Sequence, residues 1–255
     1  MNEIYYIVTM FIFGLLFGSF FNVVALRVPK KEGIVKGSSH CPKCKRKLRW
    51  YELIPVLSFV FQLGKCRGCK DKISYVYPIF ELITGICFAA SYYIFGFNLE
   101  LIYALIIVSG LIIIIDSDYH YMIIPDRIIS LLFFGILIMG LIIFDLEEVG
   151  MKIVDAGALF LIVFLIKQAG NYAFKQESLG DGDIKLMTVV GFILGIPMSI
   201  IVIFLASFFA LPVALYLLKS KKQKILPFGP FLAGVAILLF LLQIDIFQIF
   251  DYISL

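Results

Sequence analysis

Two clusters of carboxylates, each where polar sequence meets apolar sequence, are the residues best placed to do chemistry. The first is Ile115-Asp116-Ser117-Asp118-Tyr119-His120, closed by Ile124-Pro125-Asp126. The second is Gly180-Asp181-Gly182-Asp183-Ile184-Lys185. One carboxylate from each, brought together, makes an aspartyl dyad. Two such groups in close contact cannot both ionise easily, so they share a proton. The ionised partner can take a proton from water as it attacks a peptide carbonyl, and the protonated partner can donate to the carbonyl oxygen. Gly180 and Gly182 permit positive φ and close backbone approach, which suits a site for an extended peptide. The same segment reads equally as a glycine turn before a helix, with Asp183 as N-cap. Asp116, Asp118, His120 and Asp126 offer a divalent-metal set as an alternative, but that leaves the glycine-rich cluster unexplained.

Four of the five cysteines form two CxxC pairs, Cys41-Pro42-Lys43-Cys44 and Cys66-Arg67-Gly68-Cys69. Each pair can hold two corners of a tetrahedral Zn²⁺ site, so Cys41, Cys44, Cys66 and Cys69 read as ligands of a structural zinc. His40 abuts Cys41 and offers a substitute ligand. Thioredoxin-like redox chemistry needs a βαβ setting, which this sequence lacks. Cys87 lies in an apolar run and reads as packing.

The elements that must position these residues are membrane helices. Of 255 residues, 62% are hydrophobic and 16% charged, and the mean hydropathy is +1.02. Soluble domains are more polar, and disorder and secreted disulfide scaffolds are excluded. The reading is an all-α polytopic membrane protein with about eight transmembrane helices. Apolar runs cover residues 4–26, 78–97, 99–115, 127–144, 151–170 and 229–250, with 184–218 split at Gly195-Ile196-Pro197 because proline cannot continue the ladder. In this reading the third span ends at Asp116. Three segments follow: a first helix over 1–26, a basic loop with the cysteines over 27–77, and a peptidase-like membrane domain over 78–255.

Charge orients these spans. Residues 27–77 hold 13 Lys and Arg against Glu32, Glu52 and Asp71, a net of +10. A loop of that charge between two spans is cytoplasmic and lies beside anionic lipid rather than nucleic acid. Alternation then places both aspartate clusters and Lys221–Lys224 inside, and both termini outside. Most other acids, among them Asp145, Asp245 and Asp251, fall at outer ends of spans. Glu81, one turn into its span, reads as a structural hydrogen-bonding group.

The ordered motifs resemble the bacterial type IV prepilin peptidases, in particular the short competence-type enzymes of Gram-positive bacteria. The likeness runs from Gly18-Ser19-Phe20-Phe21-Asn22 through both CxxC pairs, Ile54-Pro55-Val56-Leu57-Ser58 and Tyr77-Pro78 to Asp116 with Ile124-Pro125-Asp126. It continues through Gly180-Asp181-Gly182-Asp183-Ile184-Lys185, the GxGD motif of intramembrane aspartyl proteases, and Leu226-Pro227-Phe228-Gly229-Pro230. The resemblance implies Asp116 and Asp183 as catalytic, with Gly180, Gly182 and Lys185 as supporting motif residues and Asp118, Asp126 and Asp181 secondary. It implies a prepilin or pseudopilin substrate whose basic leader stays cytoplasmic, at the bacterial inner membrane. It also implies N-methylation of the new terminus by S-adenosylmethionine, for which no donor motif is legible here. Asp116 closes a helix in this reading and Asp183 opens one, so helix-end electrostatics makes Asp183 the base and Asp116 the acid. Two other classes remain open: a methyltransferase that survives loss of both aspartates, and a non-enzymatic assembly factor with the aspartates as helix caps.

Overall fold

The computed structural model describes residues 2–34, 39–220 and 226–244. Their long elements are all helices: α1 (Asn2–Arg27), the short α2 (Leu57–Phe61), α3 (Val76–Phe95), α4 (Leu99–Tyr121), α5 (Asp126–Ile143), α6 (Leu146–Phe174), α7 (Asp181–Ser220) and α8 (Gly229–Leu242). Six are long and apolar enough to cross a bilayer, and α8 is a shorter apolar helix. Within α7 only Gly195 leaves the helical region, at φ 75° and ψ 170°, two residues before Pro197. Ser199 Oγ donates to the Gly195 carbonyl at 2.7 Å, satisfying part of the broken ladder. Counting the two limbs of α7, the apolar helices reach the expected eight. The Lys221–Lys224 segment, Asp245, Asp251 and the expected end of the last span lie outside the described residues.

The chain divides into two compact units, residues 1–116 and 117–255. Within the first unit, α1 and α3 pack along each other. Missing side chains make that contact possible. A Cβ on Gly14 would lie 2.7 Å from the Thr84 carbonyl oxygen, and one on Gly18 would lie 2.8 Å from Glu81 Cα. Small residues four apart on an apolar helix let two backbones touch. The pair is antiparallel, so the loop between the two helices starts and ends at the same edge of the unit. Buried Glu81 accepts the Val56 N–H at 2.7 Å, the structural role expected of it. That bond secures the chain where Val56, a β-branched residue, is held at φ 58°.

In the second unit α6 packs along α7, and α7 against α8. A Cβ on Gly191 would lie 3.1 Å from Leu159 Cβ, so α6 and α7 also meet at a glycine. Leu159, Leu186, Phe192 and Leu232 are at most 1% exposed and form its core.

One expected boundary is corrected. The third span does not end at Asp116, since α4 continues to Tyr121. An acid does not break a helix; the first residue here that does is Pro125. The helix stops at Met122, which adopts φ 53° and gives its N–H to the Asp118 carbonyl at 2.8 Å.

Candidate active site

The longer α4 changes which aspartate can face the second cluster. Asp116 and Asp118 lie two positions apart on one helix, about 200° around its axis at 3.6 residues per turn. Both are buried, at 1% and 5% exposure, and they point to different sides. Asp118 lines a cavity of about 310 Å³ inside the second unit, and Asp183 lines it too. Ile123, Ile124 and Asp126 from the α4–α5 connection, and Gly180, Asp181, Gly182 and Lys185, complete much of the wall. Asp116 is not among the lining residues. The sequence signal for the longer α4 is the lack of any helix breaker between 116 and 125.

Local geometry shows why the second cluster is rich in glycine. Asp181 is the first residue of α7, so Gly180 stands at N-cap and Asp183 at N3. The Gly180 N–H is directed back at the Asp183 carboxylate, half of a capping box. A Cβ on Gly180 would lie 3.1 Å from Asp183 Oδ2, and one on Gly182 would lie 2.9 Å from Ile124 Cβ. The glycines therefore serve close approach. Neither takes the positive φ that the sequence reading also allowed, and Asp183 caps from N3 rather than as N-cap. The Gly229 N–H is directed at Asp118. A Cβ on Gly229 would lie 2.7 Å from Asp118 Oδ2, so this carboxylate too rests against bare backbone.

The four acids of the cavity are not equivalent. Lys185 donates to Asp126 at 2.5 Å, and the buried Lys167 of α6 donates to Asp181 at 2.6 Å. Asp118 and Asp183 take part in no ion pair among the described residues. They act on each other electrostatically. Two carboxylates facing one cavity, with their acidic neighbours matched by lysines, are able to share a proton.

The cysteines form a second centre, in the first unit. All four Sγ atoms lie within 4.8 Å of one another, and Cys41 Sγ is 3.8 Å from Cys69 Sγ. Tetrahedral zinc with Zn–S bonds of about 2.3 Å sets sulfur edges of about 3.8 Å, so the thiols fit such an ion. They are the only such metal-ligating cluster among the described residues, and the set of Asp116, Asp118, His120 and Asp126 is not one. Two turns of the same design build the centre. The N–H of Cys41 bonds the Arg46 carbonyl, and that of Cys66 bonds the Asp71 carbonyl. Lys45 and Lys70 return N–H bonds to Cys41 and Cys66 with φ of 58° and 60°. The N–H groups of Cys69 and Gly68 pull the Cys66 thiol down to about 6. At Cys69 the Asp71 N–H is outweighed by burial and the neighbouring cysteine sulfurs, which push the thiol up to about 11, so negative charge gathers first on Cys66. Lys43 of the first turn bonds Asp71 of the second at 2.8 Å.

With the geometry in hand, comparison with known proteins gives the class. Residues 12–95 match the bacterial peptidase A24 N-terminal domain, and residues 105–215 match the type IV leader peptidase family. The prepilin leader peptidase/N-methyltransferase of Bacillus subtilis (strain 168) is 40% identical over 235 residues, covering 91% of this chain and 92% of that protein. The protein of the same name from Neisseria gonorrhoeae is 30% identical over 250 residues, covering 86% and 84%. The one from Klebsiella pneumoniae is 34% identical over 197 residues, covering 73% and 84%. No solved structure matches at a significant level. The chain belongs to the type IV leader peptidase family, and it is a multi-pass helical membrane protein.

Proposed function

We propose that this chain is a membrane aspartyl endopeptidase that removes the basic leader from prepilins or prepilin-like proteins at the cytoplasmic face of the inner membrane. Asp118 and Asp183 are its working pair. The observation that carries this reading is that these two carboxylates share one cavity while Asp126 and Asp181 are matched by Lys185 and Lys167. Asp118 takes the role that the family resemblance suggested for Asp116, because α4 continues past both and turns Asp116 away from the lining.

The division of labour follows from the helix ends. Asp183 sits in the first turn of α7 with the Gly180 N–H on it, where negative charge is favoured; Asp118 sits in the last turn of α4, where it is not. Asp183 therefore holds the negative charge and takes a proton from the attacking water. Asp118 holds the shared proton and gives it to the scissile carbonyl oxygen. The tetrahedral intermediate collapses as a proton reaches the leaving amine, with no acyl-enzyme. The cytoplasmic side rests on the net charge of residues 27–77, which keeps such a loop inside.

Cys41, Cys44, Cys66 and Cys69 would hold the zinc. A closed four-thiolate zinc site is structural and orders a loop too small to bury a core. The relatives' names carry a second activity, N-methylation, and we extend it to this chain with S-adenosylmethionine as donor to the newly exposed amino group. Transfer of labelled methyl to cleaved pilin tests it.

The deciding experiment is cleavage of a prepilin by the purified, detergent-solubilised protein beside Asp116→Asn, Asp118→Asn and Asp183→Asn. Cleavage falls by about a thousandfold in the last two, as expected for loss of an acid–base group, and persists in the first. Loss confined to Asp116→Asn and Asp183→Asn, with all folds intact, would return the assignment to Asp116. Cleavage by every variant would end the dyad reading.

A further inference from the structure

The loop between α1 and α3 carries an apolar edge that neither the cysteine centre nor the cavity uses. A 3₁₀ turn over Trp50–Glu52 packs against α2. From this pair and its flanks, Trp50 is 78% exposed, Phe61 76% and Leu63 84%, with Leu57 and Val60 more than half exposed. These residues lie outside the membrane-spanning helices, so lipid along a span does not account for them. Large apolar side chains rarely stand together in water without a partner.

The edge is held firmly. The Glu52 side chain is 1% exposed and accepts two bonds from the Arg46 guanidinium, at 3.1 and 2.7 Å, and one from the Arg49 N–H at 2.8 Å. Arg46 belongs to the first cysteine turn through its carbonyl bond to Cys41, so that turn fixes the orientation of the 3₁₀ turn. On the other side, the Gly64 N–H bonds the Phe59 carbonyl and the Ile73 N–H bonds the Gly64 carbonyl, tying α2 to the second cysteine turn. Trp50 is thus presented outward by a built platform rather than by a loose strand.

Two further observations name the partner. First, the antiparallel α1–α3 pair brings Arg27 and Val76 to the same edge, so the loop is tethered where two spans leave the bilayer. Second, exposed Lys43, Lys45, Lys47, Arg49, Lys65, Arg67, Lys70 and Lys72 surround the apolar side chains in sequence. Exposed aromatic and aliphatic groups flanked in sequence by cations match the headgroup region of an anionic leaflet. An acidic protein surface would satisfy the lysines but would not be continuous with the bilayer already flanking the loop.

We propose that Trp50, Leu57, Phe61 and Leu63 seat the cysteine loop in the anionic headgroup region of the membrane that α1 and α3 cross, fixing the loop as an interfacial platform. Trp50 is the only tryptophan of the chain, so its fluorescence reports this contact without labelling. The full-length protein is reconstituted in bilayers of phosphatidylcholine with phosphatidylglycerol, with and without bromine on the acyl chains near the headgroups. Bromolipid quenches Trp50 by about twofold, and the quenching weakens in pure phosphatidylcholine as expected for a combined apolar and electrostatic anchor. The double variant Phe61→Glu/Leu63→Glu, which keeps the probe, loses the quenching while the protein stays monodisperse and helical. Trp50 emission typical of water and indifferent to bromolipid overturns the proposal. Blue-shifted emission indifferent to bromolipid overturns it equally, because Trp50 is then covered by protein.

Discussion

Lys167 of α6 donates to Asp181 of α7 across 2.6 Å, with its own side chain 9% exposed and that of Asp181 79% exposed. A buried cation therefore reaches the residue between the two glycines of the cavity wall. Ser178 Oγ donates to the Lys167 carbonyl at 3.2 Å, and Asn171 Oδ1 accepts the Ser178 N–H at 2.8 Å. The last turns of α6 and the segment leading to Gly180 are thereby bound to each other. The pair lies two residues before Asp183, the carboxylate we propose it positions.

Because Asp181 faces water, the ion pair itself adds only about 1 kcal/mol or less to stability. Its effect falls on the site. Lys167→Met and Asp181→Asn each lower kcat by about tenfold with little change in KM, because the carboxylate they position loses its alignment. The double variant loses no more than either single one, since both remove one contact. Losses that multiply in steady-state kinetics would show that the two residues act separately.

Gly182→Ala should disable the site through Ile124. The added Cβ would fall 2.9 Å from Ile124 Cβ, so the 122–125 connection must shift. Overpacking of this kind costs about 1–3 kcal/mol, seen as a lower midpoint of thermal unfolding in detergent together with lost cleavage. Ile124→Gly added to Gly182→Ala, which removes the clashing Cβ itself, recovers part of both. Failure of that rescue would mean that Gly182 is needed for its backbone rather than for its lack of a side chain.

Gly14→Ala and Gly18→Leu test the α1–α3 contact away from the chemistry. The Gly14 Cβ would lie 2.7 Å from a carbonyl oxygen that has no flexible end to move, and the Leu side chain would force the helices apart. Gly14→Ala is destabilised by about 1–3 kcal/mol and Gly18→Leu by more. Thermal unfolding monitored by circular dichroism would reveal the order; no change in either would mean that the helices adjust freely.

Acid should loosen the cysteine loop in a way that depends on Glu52. The Arg46 guanidinium, and after it the Arg49 N–H, hold Glu52 below the usual carboxylate range against the opposing effect of burial. A carboxylate whose folded value is depressed contributes stability above its unfolded value and loses it as pH falls through the folded one. Protection of residues 39–75 from limited proteolysis is therefore steady at neutral pH and falls below about pH 4. Glu52→Gln is less protected at neutral pH, and the gap to the wild type narrows with acid. A gap that stays constant down to strongly acid pH would remove the ion pair from the explanation.

Much of this protein is legible from composition and spacing alone. The helical spans, the break at Gly195 and the tetracysteine centre all follow from local constraints. A bilayer leaves no other way to satisfy backbone polar groups than helices or closed barrels, and two CxxC turns carry their ligands within a few residues of each other. Glu81 was also readable, since a lone carboxylate just inside a span needs a nearby donor.

Which of Asp116 and Asp118 lines the cavity beside Asp183 was decided by tertiary structure. Asp116 and Asp118 are the same residue type two positions apart, and only the true end of α4 and the wall it meets distinguish them. That wall joins the α4–α5 connection to the Gly180–Asp183 turn, which is remote from α4's acids in sequence. The matching of Asp181 to Lys167 and of Asp126 to Lys185 was hidden for the same reason. Each spans a gap in sequence that periodicity cannot cross, whereas hydropathy and cysteine spacing report on neighbours along the chain. Sequence by itself determined which segments are apolar helices and which thiols gather; packing decided which carboxylate lines the cavity beside Asp183, because that cavity is walled by segments far apart along the chain.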